Sequence, residues 1–494
     1  MEKHIFFGRK AEIELLTDMW NSPRAAFLIL YGRRRVGKTS LLTYWMKKTG
    51  HKTLFWVAVP TTSQEQLRSF SKTLYSFTHN GEPPPSSYTF GTWEAAWKEL
   101  AVVAQNERLA VFIDEFTYLL ESDPSIAGTL QNIWDHNLKN TNLFLALSGS
   151  HLGMMYREVL SYQAPLYGRA TAKIHLQPLP FGLTKDYFPA YTSVDRVALY
   201  AIFGGIPAYW ELVDPNVSIS ENIKKQLLVP NNLLQDEARL LLHDFVREPQ
   251  NYIAILRAIS QNARTQKAIS GHSGLAQGHV SKYLSVLIEA GFVERRIPIT
   301  ARSQSRRGRY YITDPYLRFY YRFLATRQEQ LAIRAHQRAL DEIKRHLVDF
   351  IGMHTWEELC REWVLRAGDL GKLSFPPDQV GSVWTKTAQV DVVGINSMEK
   401  TLILGECKWQ AQTTGRKVLT DLVAKTSEIV PNNGSWRVFY LGFSREGWTS
   451  AAHAFAEELN TTEQQNKNWS VAGMELLDLE QIDQDLSTWT VLNQ

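Results

Sequence analysis

Three groups of residues have types and spacings that could do chemistry. The first is Gly32-Arg33-Arg34-Arg35-Val36-Gly37-Lys38-Thr39, followed by Ser40, which matches the Walker A pattern. In that pattern the glycines let backbone N–H groups cradle phosphates, the lysine reaches the terminal phosphates and the threonine hydroxyl holds Mg2+. Asp114-Glu115 closes an apolar run further along. Asp114 is suited to the magnesium shell, and Glu115 is placed to polarise an attacking water. The second group is Asp391 and Glu406-Cys407-Lys408, which end two extended stretches joined by a short hairpin. Strand alternation puts Glu406 and Lys408 on one face and Cys407 on the other, so two carboxylates and an ammonium can converge. Such a set can hold Mg2+ beside a phosphodiester, direct a water and stabilise developing charge. The third group is Gln277, His279, Ser281 and Lys282 at the start of a helix, with Arg302, Arg306, Arg307 and Arg309 crowded into a following loop. That layout suits DNA base edges and phosphates, which is the expectation; the alternatives are a protein-docking module or a rigid lid on the ATPase, with a merely solvated basic loop.

Other candidates are single residues. Ser148 and Ser150 end an apolar run, where they could sense a γ-phosphate or simply terminate a strand. Arg169 offers a cation to a transition state, in cis or in trans from a second copy, against the commoner role of a salt-bridge partner. Of the adjacent acids Glu357 and Glu358, Glu357 shares a helical stripe with Met353, Cys360 and Val364, whereas Glu358 groups with His354, Arg361 and Glu362. Glu357 is therefore the acid expected to face inward beside Asp391 and Glu406. Trp409 and Gln410 could stack on or support a nucleotide, against the commoner role of packing or turn residues.

These residues need elements to position them. Apolar runs at 27–31, 54–59, 109–113 and 143–147, separated by helical stretches, read as a buried parallel sheet. Helical periodicity replaces strands from 181 to 246, as in a small lid. Helices at 252–260, 266–270 and 277–290 with a 271–274 turn, then strands at 292–299 and 310–312, describe a winged helix whose flexible wing is 301–309. A helix leading to extended segments at 382–395 and 401–408, a helix near 418–429 and a strand at 436–442 form the last unit. The expected division is 1–180 for the nucleotide core, 181–246 for the lid, 247–323 for the winged helix, 324–345 for a linker helix and 346–494 for the C-terminal domain.

Phe6-Phe7-Gly8-Arg9, the Walker residues, Leu166-Tyr167-Gly168-Arg169, Gly204-Gly205-Ile206-Pro207 and the run from Asp314 to Phe323 together resemble the archaeal-type P-loop ATPase family over nearly the whole chain. The resemblance implies an α/β P-loop NTPase core akin to AAA and signal-transducing ATPases, a winged helix and a C-terminal nuclease-like domain. It also implies that Phe7, Gly8 and Arg9 lie against the adenine and that Arg169 belongs to the nucleotide site. Asp391 with Glu406-Cys407-Lys408 is similar to the PD-(D/E)xK nuclease superfamily, whose restriction-endonuclease-like α/β fold is the expectation here. The proline usually preceding the aspartate is replaced by Val390.

Bulk composition limits the class without choosing the activity. With 494 residues, 44% hydrophobic and 21% charged, the chain is expected to be globular and multidomain. A net charge of +4 is too small to argue for a nucleic-acid partner, so that case rests on local clustering. The two cysteines, Cys360 and Cys407, sit among apolar neighbours and suit a reducing compartment. No secretory or membrane segment is legible, and a cytoplasmic location is expected. The expected activity is Mg2+-dependent ATP hydrolysis coupled to DNA binding and metal-dependent DNA cleavage. The alternative is an ATP-driven switch that changes DNA or protein partners without cutting.

Overall fold

In the N-terminal third, five short apolar segments pair side by side into a parallel sheet. They are β1 (Ala26–Tyr31), β2 (Thr53–Val57), β3 (Leu109–Asp114), β4 (Leu143–Gly149) and β5 (Ala172–His175), in the order β2-β3-β4-β1-β5. The computed structural model describes residues 6–229, 232–243, 246, 248–302, 304–328, 331, 336–431, 434–462 and 464–492. β1, β3 and β4 are buried along almost their whole length, as expected of strands covered on both faces. α1 (Lys10–Asn21) precedes β1, and α2 (Lys38–Thr49) follows it directly. α2 stops at Gly50, whose φ of 66° lets its N–H return to the Met46 carbonyl. The short β5 lies where the sequence pattern shows no strand.

The described chain divides into two compact units, one of residues up to 179 with 206–208, the other of residues 180–205 and from 209 onward. The segment expected to be a separate lid is therefore split. Its helix α3 (Ser193–Phe203) is tied to the last helix of the chain, Leu479–Leu492. Arg196 and Asp483, with side chains only 7% and 3% exposed, meet at 2.5 Å, and Ser193 donates to Glu480. A Cβ on Gly182 would lie 2.4 Å from the Leu486 carbonyl, so the backbones approach closely.

The winged helix comprises α4 (Gln250–Ser260), α5 (Gln266–Ser273) and α6 (Gln277–Glu289), with β6 (Val293–Arg296) antiparallel to β7 (Arg309–Ile312). Thr265 caps α5 by accepting the Ala268 N–H. Gly271, His272 and Ser273 continue α5 rather than forming a turn, and Gly274 at φ 72° ends it. The expected linker helix, 324–345, coincides only in part with the helix His336–Ile351; residues 329, 330 and 332–335 of that expectation lie outside the described residues.

The C-terminal sheet runs β12-β11-β10-β9-β8. Its strands are β8 (Gln379–Trp384), β9 (Gln389–Asn396), β10 (Thr401–Lys408), β11 (Trp436–Ser444) and β12 (Trp469–Asp478). β8, β9 and β10 pair antiparallel, and β10, β11 and β12 pair parallel. The stretch expected to be continuously extended at 382–395 is broken by a turn in which the Thr385 N–H donates to the Ala388 carbonyl. α7 (Glu357–Asp369) packs on β8 and β9, and α8 (Arg416–Ile429) packs on β10.

Asp483→Ala would leave the Arg196 guanidinium buried without its counter-charge. Denaturation in urea followed by tryptophan fluorescence should show a loss of about 3–5 kcal/mol, largely recovered in the double variant Arg196→Met/Asp483→Leu, where no buried charge remains.

Candidate nucleotide site and candidate carboxylate site

The glycine loop leaves the carboxyl end of β1 and enters α2 through Gly37, whose φ of 101° is one that L side chains rarely adopt. Arg35 also lies in the left-handed region, at φ 66°. A Cβ on Gly32 would stand 2.6 Å from the Leu176 carbonyl, so only glycine fits there. Lys38 is 5% exposed and donates to its own loop, to the carbonyls of Gly32 at 3.0 Å and Arg33 at 3.2 Å. Burial lowers its pKa, while the Glu115 and Asp114 carboxylates oppose that shift.

Sheet register brings the acids to the loop. β4 separates β1 from β3, and the Thr39 hydroxyl donates to Asp114 Oδ2 across 2.5 Å. The other Asp114 oxygen accepts the Glu115 N–H at 3.0 Å, fixing both lone-pair sets. Glu115 holds φ 51°, uncommon for a residue with a side chain, and its Oε2 accepts the Ser150 hydroxyl at 2.7 Å. Ser148 is fully buried in β4, and its hydroxyl has no hydrogen-bond partner among the described residues. Ser40 is exposed in the first turn of α2, and Val36 is fully buried.

Two residues linked to the nucleotide by resemblance are otherwise engaged. Arg9 is buried and donates to the carbonyls of Val36 at 3.1 Å and Gln177 at 2.7 Å while pairing with Glu12 at 3.2 Å. Its charge clamps the loop's backbone to the chain after β5. Phe7 and Gly8 lead into it, Gly8 at φ 65°. Arg169 pairs with Asp135 at 2.8 Å and donates to the carbonyls of Pro165 and Tyr167, so its guanidinium serves its own loop.

In the C-terminal sheet, β9 and β10 pair from Thr401 opposite Asn396 to Gly405 opposite Val392, and the next position in that register sets Glu406 opposite Asp391. There the ladder changes, because the Asp391 side chain accepts the Cys407 N–H at 3.2 Å. Glu406 is 8% exposed; one oxygen holds Lys408 at 2.7 Å and the other holds Lys425, from α8, at 2.9 Å. Burial raises the Asp391 carboxyl and Glu406 raises it further, against the Cys407 N–H, Lys408 and the nearby Gln389 amide. Burial would lower the Lys408 ammonium, but Glu406 outweighs it and the net shift is upward.

α7 adds Glu357. Burial and the Asp391 charge push its carboxyl up to about 8, although Arg361 pairs with it at 3.2 Å; the same Arg361 nitrogen also donates to the Asp391 carbonyl. The stripe that singled out Glu357 is real at Cys360 and Val364, but Met353 is 44% exposed. Glu358 is not on a solvated face: it accepts from Arg318 and Arg296, each at 2.9 Å. Lys425 went unnoticed in the sequence because it lies far from the hairpin; its one signal is its place on the helix following β10. Among the described residues no group of three or more His, Cys, Asp or Glu side chains is gathered tightly enough to hold a metal ion, so the acids here act as a pair with Glu357 alongside.

On α6, Gln277, His279, Ser281 and Lys282 are exposed while Val280, Leu284 and Leu287 face the core. The wing is not the free loop expected. The Ile299 N–H donates to the Ser382 carbonyl of edge strand β8, the Trp384 indole donates to the Arg307 carbonyl at 3.0 Å, and Arg309 bonds Gln389 at 3.1 Å. Arg302, Arg306 and Arg307 keep exposed side chains; Arg309 is half-buried, and Ser303 lies outside the described residues. Among the described residues no helix is long and apolar enough to cross a membrane.

Residues 6–213 match the ATPase domain predominantly from Archaea, 250–296 match the IclR helix-turn-helix domain, and 320–418 match a family of archaeal and bacterial proteins of unknown function. An uncharacterized protein of Methanocaldococcus jannaschii is 29% identical over 424 residues, 85% of this chain and 92% of that protein. An uncharacterized ATP-binding protein of the same organism is 49% identical over 43 residues, 9% of this chain and 73% of its own. The Walker-type ATPase of Pyrococcus abyssi is a structural neighbour at 18% identity and TM-score 0.49, covering 65% of this chain and 97% of its own. The chain is thus similar, region by region, to an ATPase domain predominantly from Archaea, to the IclR helix-turn-helix domain and to a family of unknown function.

Proposed function

We propose that this protein is a Mg2+-dependent ATP hydrolase that engages DNA through α6 and the exposed wing arginines and cleaves a phosphodiester at Asp391, Glu406 and Lys408. In this reading residues 1–180 turn over ATP, 247–323 bind DNA and 346–494 carry the cleavage site. The observation that carries the first half is the Thr39 hydroxyl on Asp114 at 2.5 Å beside a buried Lys38. That donor set fits magnesium and a triphosphate: a hydroxyl and a carboxylate for the ion, and an ammonium that donates to loop carbonyls which phosphate oxygens would replace. Mg2+, when bound at either site, supplies Lewis-acid charge stabilisation for phosphate oxygens.

The side chains then have distinct tasks. Lys38 moves from the carbonyls of Gly32 and Arg33 onto the terminal phosphates. Glu115, aimed by Ser150, orients a water whose oxygen bonds to the γ-phosphorus as the bond to the bridging oxygen breaks, giving ADP and phosphate; the water's proton passes to the Glu115 carboxylate. Ser148 offers its buried hydroxyl to the departing phosphate. In the C-terminal sheet Asp391 and Glu406 would hold the ion, since magnesium commonly takes one or two carboxylates together with water and phosphate oxygens. Lys408 and Lys425 would neutralise charge on the scissile phosphate while the oxygen of a water bonds to its phosphorus, the bond to the leaving sugar oxygen breaks and the water's proton goes to solvent; Glu357, which holds its proton up to about pH 8, would donate that proton to the leaving oxygen. A second reading, an ATP-driven switch whose C-terminal module binds DNA or protein without cutting, draws on Glu406: both of its oxygens already hold ammonium groups.

Phosphate release and plasmid nicking measured together separate these readings. Lys38→Ala should cut ATP turnover by ~10²-fold or more and Glu115→Gln should stop turnover while ATP still binds. Asp391→Ala should abolish Mg2+-dependent nicking and leave phosphate release unchanged. Nicking that survives Asp391→Ala removes the assigned site; wild-type protein that binds DNA without nicking it establishes the switch.

Glu357 generates a prediction about pH. Its carboxyl titrates at about 8 in the folded chain against an ordinary 4.5, so the folded state binds the proton more tightly, and stability falls as pH rises from about 4.5 to 8. Glu357→Gln, permanently neutral, should match wild type near pH 5 and exceed it by at least ~1 kcal/mol at pH 9, measured as urea midpoints. An equal difference at both pH values contradicts the assigned charge state.

A further inference from the structure

One cavity in the second unit is lined by charges that do not pair with one another. The helix His336–Ile351 and the turn after it turn His346, Asp349, Phe350 and His354 toward it, residues at helical spacings of three, four and eight. Phe350 seats that face, its ring centroid 5.9 Å from Phe319 and 5.3 Å from Phe323 on the helix after β7, and His354 meets Phe350 edge to face at 5.3 Å. The same packing brings Arg322, beside Phe323, and Ser260 and Asn262, at the end of α4, to the cavity wall. Its volume is about 80 Å³, roughly half of the ~150 Å³ that holds benzene in an engineered protein cavity. It reaches solvent at His346 and Asp349, both exposed.

The hydrogen-bonding capacity left over on this wall has two signs. Among the described residues the side chains of Arg322 and Asp349 have no ion-pair or hydrogen-bond partner, although both line the cavity. Asn262, at φ 67°, accepts Arg264 on its side-chain oxygen at 3.0 Å, so its NH2 remains to donate. The Ser260 hydroxyl gives its proton to the Arg257 carbonyl at 2.7 Å, so its lone pairs remain to accept. Burial, with Arg318 and Arg264 nearby, keeps His354 neutral, with one N–H to offer. Arg318, Arg264 and Arg296 outnumber Glu358 around that ring, which favours an anion in front of it.

Inorganic phosphate matches both halves of this inventory. Its oxygens accept from Arg322, Asn262 and the histidines, and near neutral pH it keeps at least one O–H for Asp349 or Ser260. Sulfate has the same shape and no O–H, so its charge would face the Asp349 carboxylate directly. A nucleotide is too large for the space. We propose that this cavity binds inorganic phosphate, with Arg322 as its cation and Asp349 as the acceptor that selects phosphate over sulfate. Neither the ATP hydrolysis nor the DNA cleavage proposed above is needed for it.

The test is equilibrium dialysis of radiolabelled phosphate against the full chain, with a non-hydrolysable ATP analogue and Mg2+ filling the glycine loop, which would otherwise take phosphate itself. Arg322→Ala should weaken binding by ~10–100-fold, the scale of hydrogen bonds to a charged group. Wild type should prefer phosphate to sulfate by ~10-fold or more, and Asp349→Asn should shrink that ratio toward one by weakening phosphate and admitting sulfate. Asp349 is exposed and Arg322 only half-buried, so far-UV circular dichroism and ATP turnover should match wild type in both variants and report an intact fold. Phosphate held no more tightly than sulfate means an adventitious ion only and overturns the proposal. Binding that survives Arg322→Ala places the ion elsewhere, and wild type that binds none leaves no site; either result overturns it as well. An unchanged phosphate-to-sulfate ratio in Asp349→Asn overturns Asp349 as the selecting group.

Discussion

Glu358 is the contact on which the second unit depends. Burial alone would drive its carboxyl upward, yet Arg318 and Arg296 hold it down at about 2. Arg296 belongs to β6 and Arg318 to the helix after β7, so two arginines of the winged helix converge on one acid of α7. A buried charge stripped of its partners is strongly unfavourable, and that asymmetry fixes the winged helix against the C-terminal sheet more firmly than the net value of the ion pairs suggests. The neighbouring acid has the opposite fate. Glu357 pairs with Arg361, whose Nη1 is shared with the Asp391 carbonyl, and burial with the Asp391 charge carries it up to about 8. Two adjacent carboxyls on one helix are thus shifted in opposite directions, Glu357 upward by burial and the Asp391 charge and Glu358 downward by Arg318 and Arg296, and the proton that Glu357 holds in the proposed cleavage step depends on those two cations going to Glu358.

The nucleotide loop obeys a different constraint. Its residues are contiguous, so the loop's shape is fixed by local backbone: positive φ at Arg35 and Gly37, and no room for a side chain at Gly32. What is not local is the acid row. Asp114 reaches Thr39 because β3 and β1 run parallel on either side of β4 and end level with one another. Arg9 completes the frame from the N-terminal side by using its guanidinium on main-chain carbonyls of the loop and of the chain after β5. Such a charge is well suited to rigidity, since a planar donor satisfies several acceptors at once.

This difference explains what could be read from the amino acids alone. The Walker residues are legible because the pattern is short and each position has its own steric or chemical reason. Asp391 and Glu406 are legible because a hairpin converts sequence distance into register. Lys425 is not, since α8 delivers it from outside the hairpin, and neither is the tie between Arg196 and Asp483, whose partners are far apart in the chain. The wing misled for a physical reason: clustered arginines suggest a solvated loop, and the single apolar Ile299 beside them gives little warning that the loop covers the edge of another sheet. The partner of Arg169 was equally hidden, because a motif cannot show that Asp135 is waiting nearby.

An edge strand exposes unpaired N–H and C=O groups and is usually blunted or covered. Here the cover for β8 is the wing itself, through the Ile299 N–H on the Ser382 carbonyl. A loop that finishes a neighbouring sheet cannot also wander into a groove, so of the four wing arginines only Arg302, Arg306 and Arg307 present exposed side chains, while Arg309 is held by Trp384 and Gln389. In the proposed DNA complex base reading therefore falls to α6, where Gln277, His279, Ser281 and Lys282 are open, and the wing contributes phosphate contacts from a fixed position. Fixing that position carries a structural consequence: DNA seated on α6 is held at a constant offset from the strand that bears Asp391, because the wing belongs to both.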